Sequence, residues 1–560
     1  MLHAGFGRAD ITVYEPGLVM LGWAEPTNTS DSVGDDLACR AVALREGTET
    51  LVFACAELAF ITGALRDRVL EHLDLDALGL CARSVMVTAT HNHSGPSGYS
   101  HHFLYNLLEQ GFRQEVLDGL ASGIAESIRR AVDSLEPALV DVRTGDIPTG
   151  VAWNRAWRAY NRNEDVAPVT EQTAGRAVDR TLTLLRVTSA AGRPLGAVSW
   201  LGLHGTTVHA DHQALRHDHK GAASRQWEEA PPEGAEDFVA IFAQGPAGDV
   251  TANFRWDATR KRSVRRDDDL RGRAEVAEAQ VATARRLWSA AEPLLTIESG
   301  LSSALRHIAL EDREVDPAFS RGLTARTTEA VIGLAMALGT DEGPGPYHRT
   351  SWLAASLRRL LLARRGDSAD GHWPKVTFLE VGRGARGRML GLIPVRALAP
   401  FGFIDSTVGF ARDALARGLG DAPWAPTILP LQIFRIGPLA IAGLPCEPTT
   451  IAGRRMAATL QQSLEVPHAV IAAYANDYAG YCVTAEEFDE QRYEGGCTWF
   501  GRWTCAAWRT ELTRLSDDLG TRVVRPSPDR LRPAPHEVEA LRFRSRQTGR
   551  SLGLFSRRAG

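Results

Sequence analysis

The stretch RSVMVTATHNHSGPSGY, residues 83–99, reads as a strand that carries two histidines to its end. Its first half is apolar and β-branched, and its second half breaks into Ser, Gly and Pro, which end strands and let the backbone turn. Val85, Val87, Ala89, His91 and His93 share one parity, so alternation along a strand predicts both imidazoles on the same face. Runs of the same kind occur at 50–58, 182–188, 196–204, 237–244, 375–382 and 438–445. Between Leu107 and Leu135, Phe112, Val116, Leu120, Ile124, Ile128 and Val132 recur at every fourth position, which predicts a helix packed on a sheet. Strands alternating with helices from residue 1 to about 510 predict an α/β enzyme with a large mixed β-sheet core flanked by helices.

Composition narrows the function classes. The chain has 560 residues, 44% of them hydrophobic and 23% charged, which excludes a disordered or collagen-like protein. A net charge of −5 gives no global attraction to nucleic acid or anionic lipid, so no nucleic-acid partner is expected. The seven cysteines are scattered without a C-x-x-C pair, the pattern of free thiols in a reducing cytosol. No apolar run reaches the ~18 residues of a transmembrane helix, and IGLAMALG at 332–339 is too short. The N-terminal MLHAGFGRADITVYEPG lacks the pattern of a signal peptide, so the expected location is cytoplasmic. Mixed charge at 259–273 predicts a solvated loop before a helix over 274–291. The last segment, 511–560, reads as an Arg/Pro-rich surface tail or a vestigial module, with ten arginines from Arg522 onward.

Three strand ends carry residues that bind metals. The first is H-x-H at 91–93, where two imidazoles at i and i+2 can converge on a metal or on one substrate. The second is SWLGLHGTTVHADH at 199–212, which puts His204 at a strand rim; His209, His212, His217 and His219 are expected as loop or solvent histidines. The third is PLAIAGLPCEPTTIAGRRM at 438–456, where Glu447 follows a buried-looking run and precedes Pro448. Glu447 reads equally as a helix-capping carboxylate, with the helix over 448–464. Two histidines and a carboxylate are also the ligand set of many catalytic zinc sites, which leave one position open for water.

Seven elements, THNHSGPSGY (90–99), WNRAWRAY (153–160), LHGTTV (203–208), D-H-K-G (218–221), AGDVTANF (247–254), GLPCEPTTIAGRRM (443–456) and YAGYCVTAEEFDEQRYEGG (478–496), together resemble the neutral ceramidase family of zinc-dependent amidases. The resemblance spans roughly residues 4–505 and implies a catalytic domain over 1–510 of the zinc-hydrolase type. It implies Zn²⁺ bound by His91, His204, Glu447 and Tyr481. It further implies His93 beside the metal water, Arg155 facing the scissile amide, Tyr493 donating to the oxyanion, and the Thr251 hydroxyl orienting water or a substrate hydroxyl. The implied substrate is an N-acylated amine, a ceramide-like lipid amide.

The chain departs from the family pattern at three places. Thr251 and Ala252 stand where the family has serine and proline, and a threonine methyl restricts χ1 and narrows the pocket. His219 replaces an asparagine, and too few residues follow 505 for a full C-terminal β-sandwich. Two alternatives therefore stay open: the same zinc core adapted to a soluble non-sphingoid amide or ester or to amide formation, and a catalytically silent binding protein.

Overall fold

Alternating small and large apolar residues decide how the strands stack. In the computed structural model, which describes residues 1–542 apart from 108, 110, 267, 341, 344–370, 398–405 and 522–526, these residues split between two faces of one sheet. Its strands are β1 (His3–Asp10), β2 (Ala38–Glu46), β3 (Glu49–Ala56), β4 (Val85–Ala89), β5 (Glu136–Asp146), β6 (Thr181–Ser189), β7 (Pro194–Leu201), β8 (Val239–Gln244) and the short β9 (Leu295–Ile297). The order is β8-β7-β6-β5-β1-β2-β3-β4, with β9 also paired to β5. The β7–β8 and β3–β4 pairs are parallel and the other pairs are antiparallel.

A second sheet, β10 (Leu301–Ala309), β11 (Ile428–Ile436), β12 (Leu439–Gly443) and β13 (His468–Ala472), packs on the first. Val42, Leu44, Phe53, Val198, Trp200 and Ile241 from one sheet form a single buried cluster with Phe434, Ile436, Ile441 and Val470 from the other. Their alternation partners Ala41, Ala43, Val52 and Ala54 point outward and meet the helix α2 (Gln114–Asp133), which α1 (Gly63–Glu71) flanks and whose Leu120, Ile124 and Ile128 are fully buried. Leu184, Ala240 and Phe242 likewise face outward, toward α3 (Asp218–Glu229) and α4 (Asp269–Trp288). Helices α5 (Thr450–Leu464) and α6 (Thr504–Thr521) join the buried cluster on the outer face of the second sheet through Met456, Leu460 and Leu512. The result is helix on sheet on sheet on helix, and each buried Val, Leu, Ile or Phe contributes about 1.5–3 kcal/mol.

Several sequence expectations change. The charged segment after 253 forms a hairpin, Phe254–Asp257 with Arg262–Arg265, and α4 begins at Asp269 rather than 274 because the Asp268 side chain accepts from the Arg271 N–H as its N-cap. Helix α5 begins at Thr450, capped by Thr449. Glu447 is therefore not its capping residue. Helix α6 runs through residue 510, and Leu541 of the following segment is buried, with its carbonyl accepting from the Phe112 N–H. All seven cysteines are free thiols. Among the described residues no helix is long and apolar enough to cross a membrane.

Candidate active site

The two-histidine motif reaches its position by leaving the strand conformation. β4 ends at Ala89, and His91 takes a left-handed backbone conformation with φ of 62°. Simple alternation therefore does not align the two rings. The turn does, and it brings His93 Nε2 to 3.0 Å from His91 Nε2. His204 follows β7, and Gly205 has to be glycine: a Cβ there would lie 2.2 Å from the His91 carbonyl oxygen. Glu447 and Tyr481 belong to two short segments paired in parallel, Glu447–Pro448 with Tyr481–Cys482, which bring a residue just before α5 beside one that follows β13.

The side chains converge closely. Glu447 Oε2 lies 3.4 Å from His91 Nε2 and 3.3 Å from His204 Nε2, and Tyr481 Oη lies 3.4 Å from His204 Nε2. The Nδ1 nitrogens point away, His91 to the Ala59 carbonyl at 2.8 Å and His204 to the Ala247 carbonyl at 2.6 Å. Those carbonyls accept, so each ring carries its proton on Nδ1 and leaves the Nε2 lone pair inward. Burial holds His91 at a pKa of about 3 against the attraction of Glu447, so the ring is neutral. Burial by itself would raise Glu447, but His91, His204 and the Tyr478 hydroxyl bring it down to about 2.

The Nε2 lone pairs of His91 and His204 and the Glu447 carboxylate thus face one another, an arrangement that fits a cation. The 3.3–3.4 Å separations match the edges, about 3.3 Å, of a tetrahedron with metal–ligand bonds of about 2.0–2.1 Å. The ring nitrogens of His91, His93 and His204 that face one another all lie within 4.8 Å, close enough to hold one ion. Outside this group, hydrogen bonds fix Glu447: Tyr474 donates to its Oε2 at 3.1 Å, and Tyr478 donates to Oε1.

Arg155 is buried beside the cluster. Its guanidinium donates to Tyr481 Oη at 3.0 Å, Glu494 Oε1 at 3.0 Å, Glu342 Oε2 at 3.1 Å and the Gly248 carbonyl at 3.0 Å. Tyr493 stands edge-on to Tyr481 with ring centroids 5.5 Å apart. Thr251, in contrast, does not line the cavity: its Oγ1 donates to Glu342 Oε1 at 2.8 Å.

Asp249 ties these parts together. Its backbone carbonyl accepts from Arg155, and its carboxylate accepts from Asn154 at 2.7 Å and from the Thr450 N–H at 2.7 Å. Burial and the nearby Asp249 push Glu487 up to about 7. A carboxyl group raised above its unfolded value binds its proton in the folded state while the unfolded chain has lost it. Stability should therefore fall between about pH 4.5 and 7, and Glu487→Gln should flatten that slope in denaturant midpoints measured across the range.

The histidines expected in solvent are not there. His209, His217 and His219 are buried, and His209 pairs with Asp269 at 2.9 Å. His219 donates from Nε2 to the His204 carbonyl at 2.8 Å, while its Nδ1 accepts from Gln280. Sequence reasoning missed Glu342, Tyr474 and Trp23. Trp23 packs edge-on against His93 at 5.2 Å. Only Tyr474, four residues before the last quoted motif, had a neighbouring signal.

The cavity over this cluster measures about 280 Å³. Its polar end holds His91, His93, Arg155, His204, Glu342, Glu447 and Tyr481, and it continues into an arm lined by Phe60, Phe103, Leu104, Ile332, Met336, Phe378, Leu415 and Trp424. Ile332 and Met336 come from the apolar run at 332–339, which forms the cavity wall.

Residues 2–387 and 415–510 match the family described as neutral/alkaline non-lysosomal ceramidase, N-terminal. The neutral ceramidase of Pseudomonas aeruginosa is 30% identical over 93% of this chain and 72% of its own length. That of Mycobacterium tuberculosis is 29% identical over 96% of this chain and 79% of its own. The crystal structure of the Pseudomonas aeruginosa neutral ceramidase superposes with a TM-score of 0.75 at 28% identity, covering 95% of this chain and 76% of that one. A ceramidase complexed with C2 gives a TM-score of 0.77, also at 28% identity. With the same mixed two-sheet fold and a match over most of its length, this chain belongs to the neutral/alkaline non-lysosomal ceramidase family.

Proposed function

We propose that the protein is a zinc-dependent amidohydrolase that cleaves the amide of an N-acylated amine of the ceramide type, with residues 1–510 as its catalytic unit. The observation that carries this reading is the convergence of His91, His204, Glu447 and Tyr481 in a cavity with an apolar arm. Zinc, when bound, supplies Lewis acidity toward the amide carbonyl and lowers the pKa of water to about 7.

The chain's own residues do the rest. His93, neutral because burial and His91 hold the ring well below its usual range, accepts the proton of the attacking water and returns it to the departing amine. Water adds to the carbonyl carbon, the C–N bond breaks, and a carboxylate and an amine leave. The guanidinium of Arg155, held by two buried carboxylates, keeps Tyr481 Oη oriented toward His204. Tyr493, whose burial keeps the phenol protonated, donates to the oxygen that gains charge. The apolar arm takes a hydrocarbon chain and excludes water.

Metal analysis together with turnover of a fluorogenic N-acyl amine tests this reading. One equivalent of zinc, with turnover lost on chelation and restored by zinc, is expected; turnover that survives in metal-free protein overturns it.

Thr251 gives a separate check. Its hydroxyl donates to Glu342 and accepts from the Asn253 N–H at 3.0 Å, so Thr251→Ser should stay within about threefold of wild type, whereas Thr251→Val should lose about 1–3 kcal/mol of stability. Thermal melts of the two variants measure the difference.

A further inference from the structure

Glu342 is a buried carboxylate in the catalytic cavity that none of the sequence motifs contains. Its Oε1 accepts from Thr206 Oγ1 at 2.6 Å, Thr251 Oγ1 at 2.8 Å and Asn253 Nδ2 at 2.6 Å. Its Oε2 accepts from Arg155 Nη1 at 3.1 Å. Thr206 lies in the loop after β7, Thr251 and Asn253 lie at and just beyond the short strand Val250–Thr251, and Arg155 follows Trp153–Asn154, which pairs with that strand. These donors thus form a cradle shaped for a carboxylate, built on segments remote from Glu342 in the sequence, and the chain fills it with its own side chain.

We propose that Glu342 is a specificity-determining residue: by occupying this anion cradle beside the catalytic cluster, it admits amine head groups that present hydroxyl or ammonium donors and rejects those that carry a carboxylate. The proposal rests on the amide-hydrolase reading above and assigns the head-group side of that same site. The reasoning is electrostatic. With Glu342 in place, a second carboxylate at this end of the cavity would meet a like charge among buried side chains, a juxtaposition that costs several kcal/mol. With Glu342 removed, Arg155, Thr206, Thr251 and Asn253 face the cavity as an unfilled set of donors. That set is complementary to the carboxylate of an N-acyl amino acid.

The test compares an N-acylethanolamine with the N-acylglycine of the same acyl chain, on zinc-loaded wild type, Glu342→Ala, Glu342→Gln and Glu342→Asp. Wild type should favour the ethanolamide in kcat/KM by about 100-fold, the size of a like-charge penalty of a few kcal/mol. Glu342→Ala should cut that ratio at least about tenfold, chiefly by lowering KM for the acylglycine, and millimolar formate, by refilling the cradle, should restore the wild-type preference. Glu342→Asp should keep the preference. Glu342→Gln, which keeps the shape and loses the charge, supplies the comparison should Glu342→Ala not fold. Calorimetric binding of both amides to His91→Ala protein, with and without the Glu342 change, reads the same preference without turnover. Absence of turnover alone thus counts against the hydrolase reading and not against this proposal. Equal handling of the two amides by wild type, or a preference that neither Glu342→Ala nor Glu342→Gln moves in kinetics and calorimetry, overturns it.

Discussion

Replacing His91 or His204 by alanine is expected to leave protein that retains less than stoichiometric zinc and turns over N-acyl amines at least about 1000-fold more slowly, the effect of losing several kcal/mol of transition-state stabilisation. The expectation follows from the tautomers. Each ring has its Nδ1–H committed to a backbone carbonyl, so its Nε2 is available only to the centre of the cluster. Removing either ring takes away one inward lone pair and leaves Glu447 facing a single imidazole. The fold should survive, because the loss to the structure is one buried hydrogen bond, about 1–3 kcal/mol. Metal content, circular dichroism and turnover measured on one preparation separate loss of the ligand from loss of the fold. A variant that keeps both zinc and turnover would contradict the assignment.

Arg155→Met should be as damaging, for a different reason. The guanidinium is enclosed and bonded to Glu342 and Glu494, so its removal strands two buried carboxylates and should cost about 3–5 kcal/mol of stability. It also frees Tyr481 Oη, and turnover should fall by about 100-fold or more. Arg155→Lys should not rescue it, because one ammonium cannot reach the carboxylates, the phenol and the Gly248 carbonyl from a single point. The double variant Arg155→Met with Glu342→Gln should recover part of the lost stability, since it removes one of the stranded charges; a double-mutant cycle in urea measures the coupling.

How much of this was legible follows from the range of each interaction. The strands at 50–58, 182–188 and 237–244 coincide with β3, β6 and β8, because β-branched and aromatic runs on a buried sheet are a local signal. β1, with its Gly5 and Gly7, carries no such signal. A Cβ at position 7 would lie 2.1 Å from the Ser127 carbonyl oxygen, so α2 lies too close for a side chain and the strand is defined by its neighbour. His209 and His219 looked like loop residues since their partners, Asp269 and Gln280, lie some sixty positions further along. Glu342 sits in a Gly-rich stretch with no local pattern, and its four donors come from positions 155, 206, 251 and 253.

The sequence by itself determined the class of fold, through apolar periodicity, and named His91, His204, Glu447 and Tyr481, through motifs that resemble one family, as side chains to look for together. Only the tertiary structure decided which nitrogen of each histidine faces inward, that Arg155 is shared between two carboxylates, and that Glu342 fills the cradle behind which Thr251 is buried. Those outcomes depend on hydrogen bonds between residues tens to hundreds of positions apart, whose partners are chosen by the packing of two sheets and their helices.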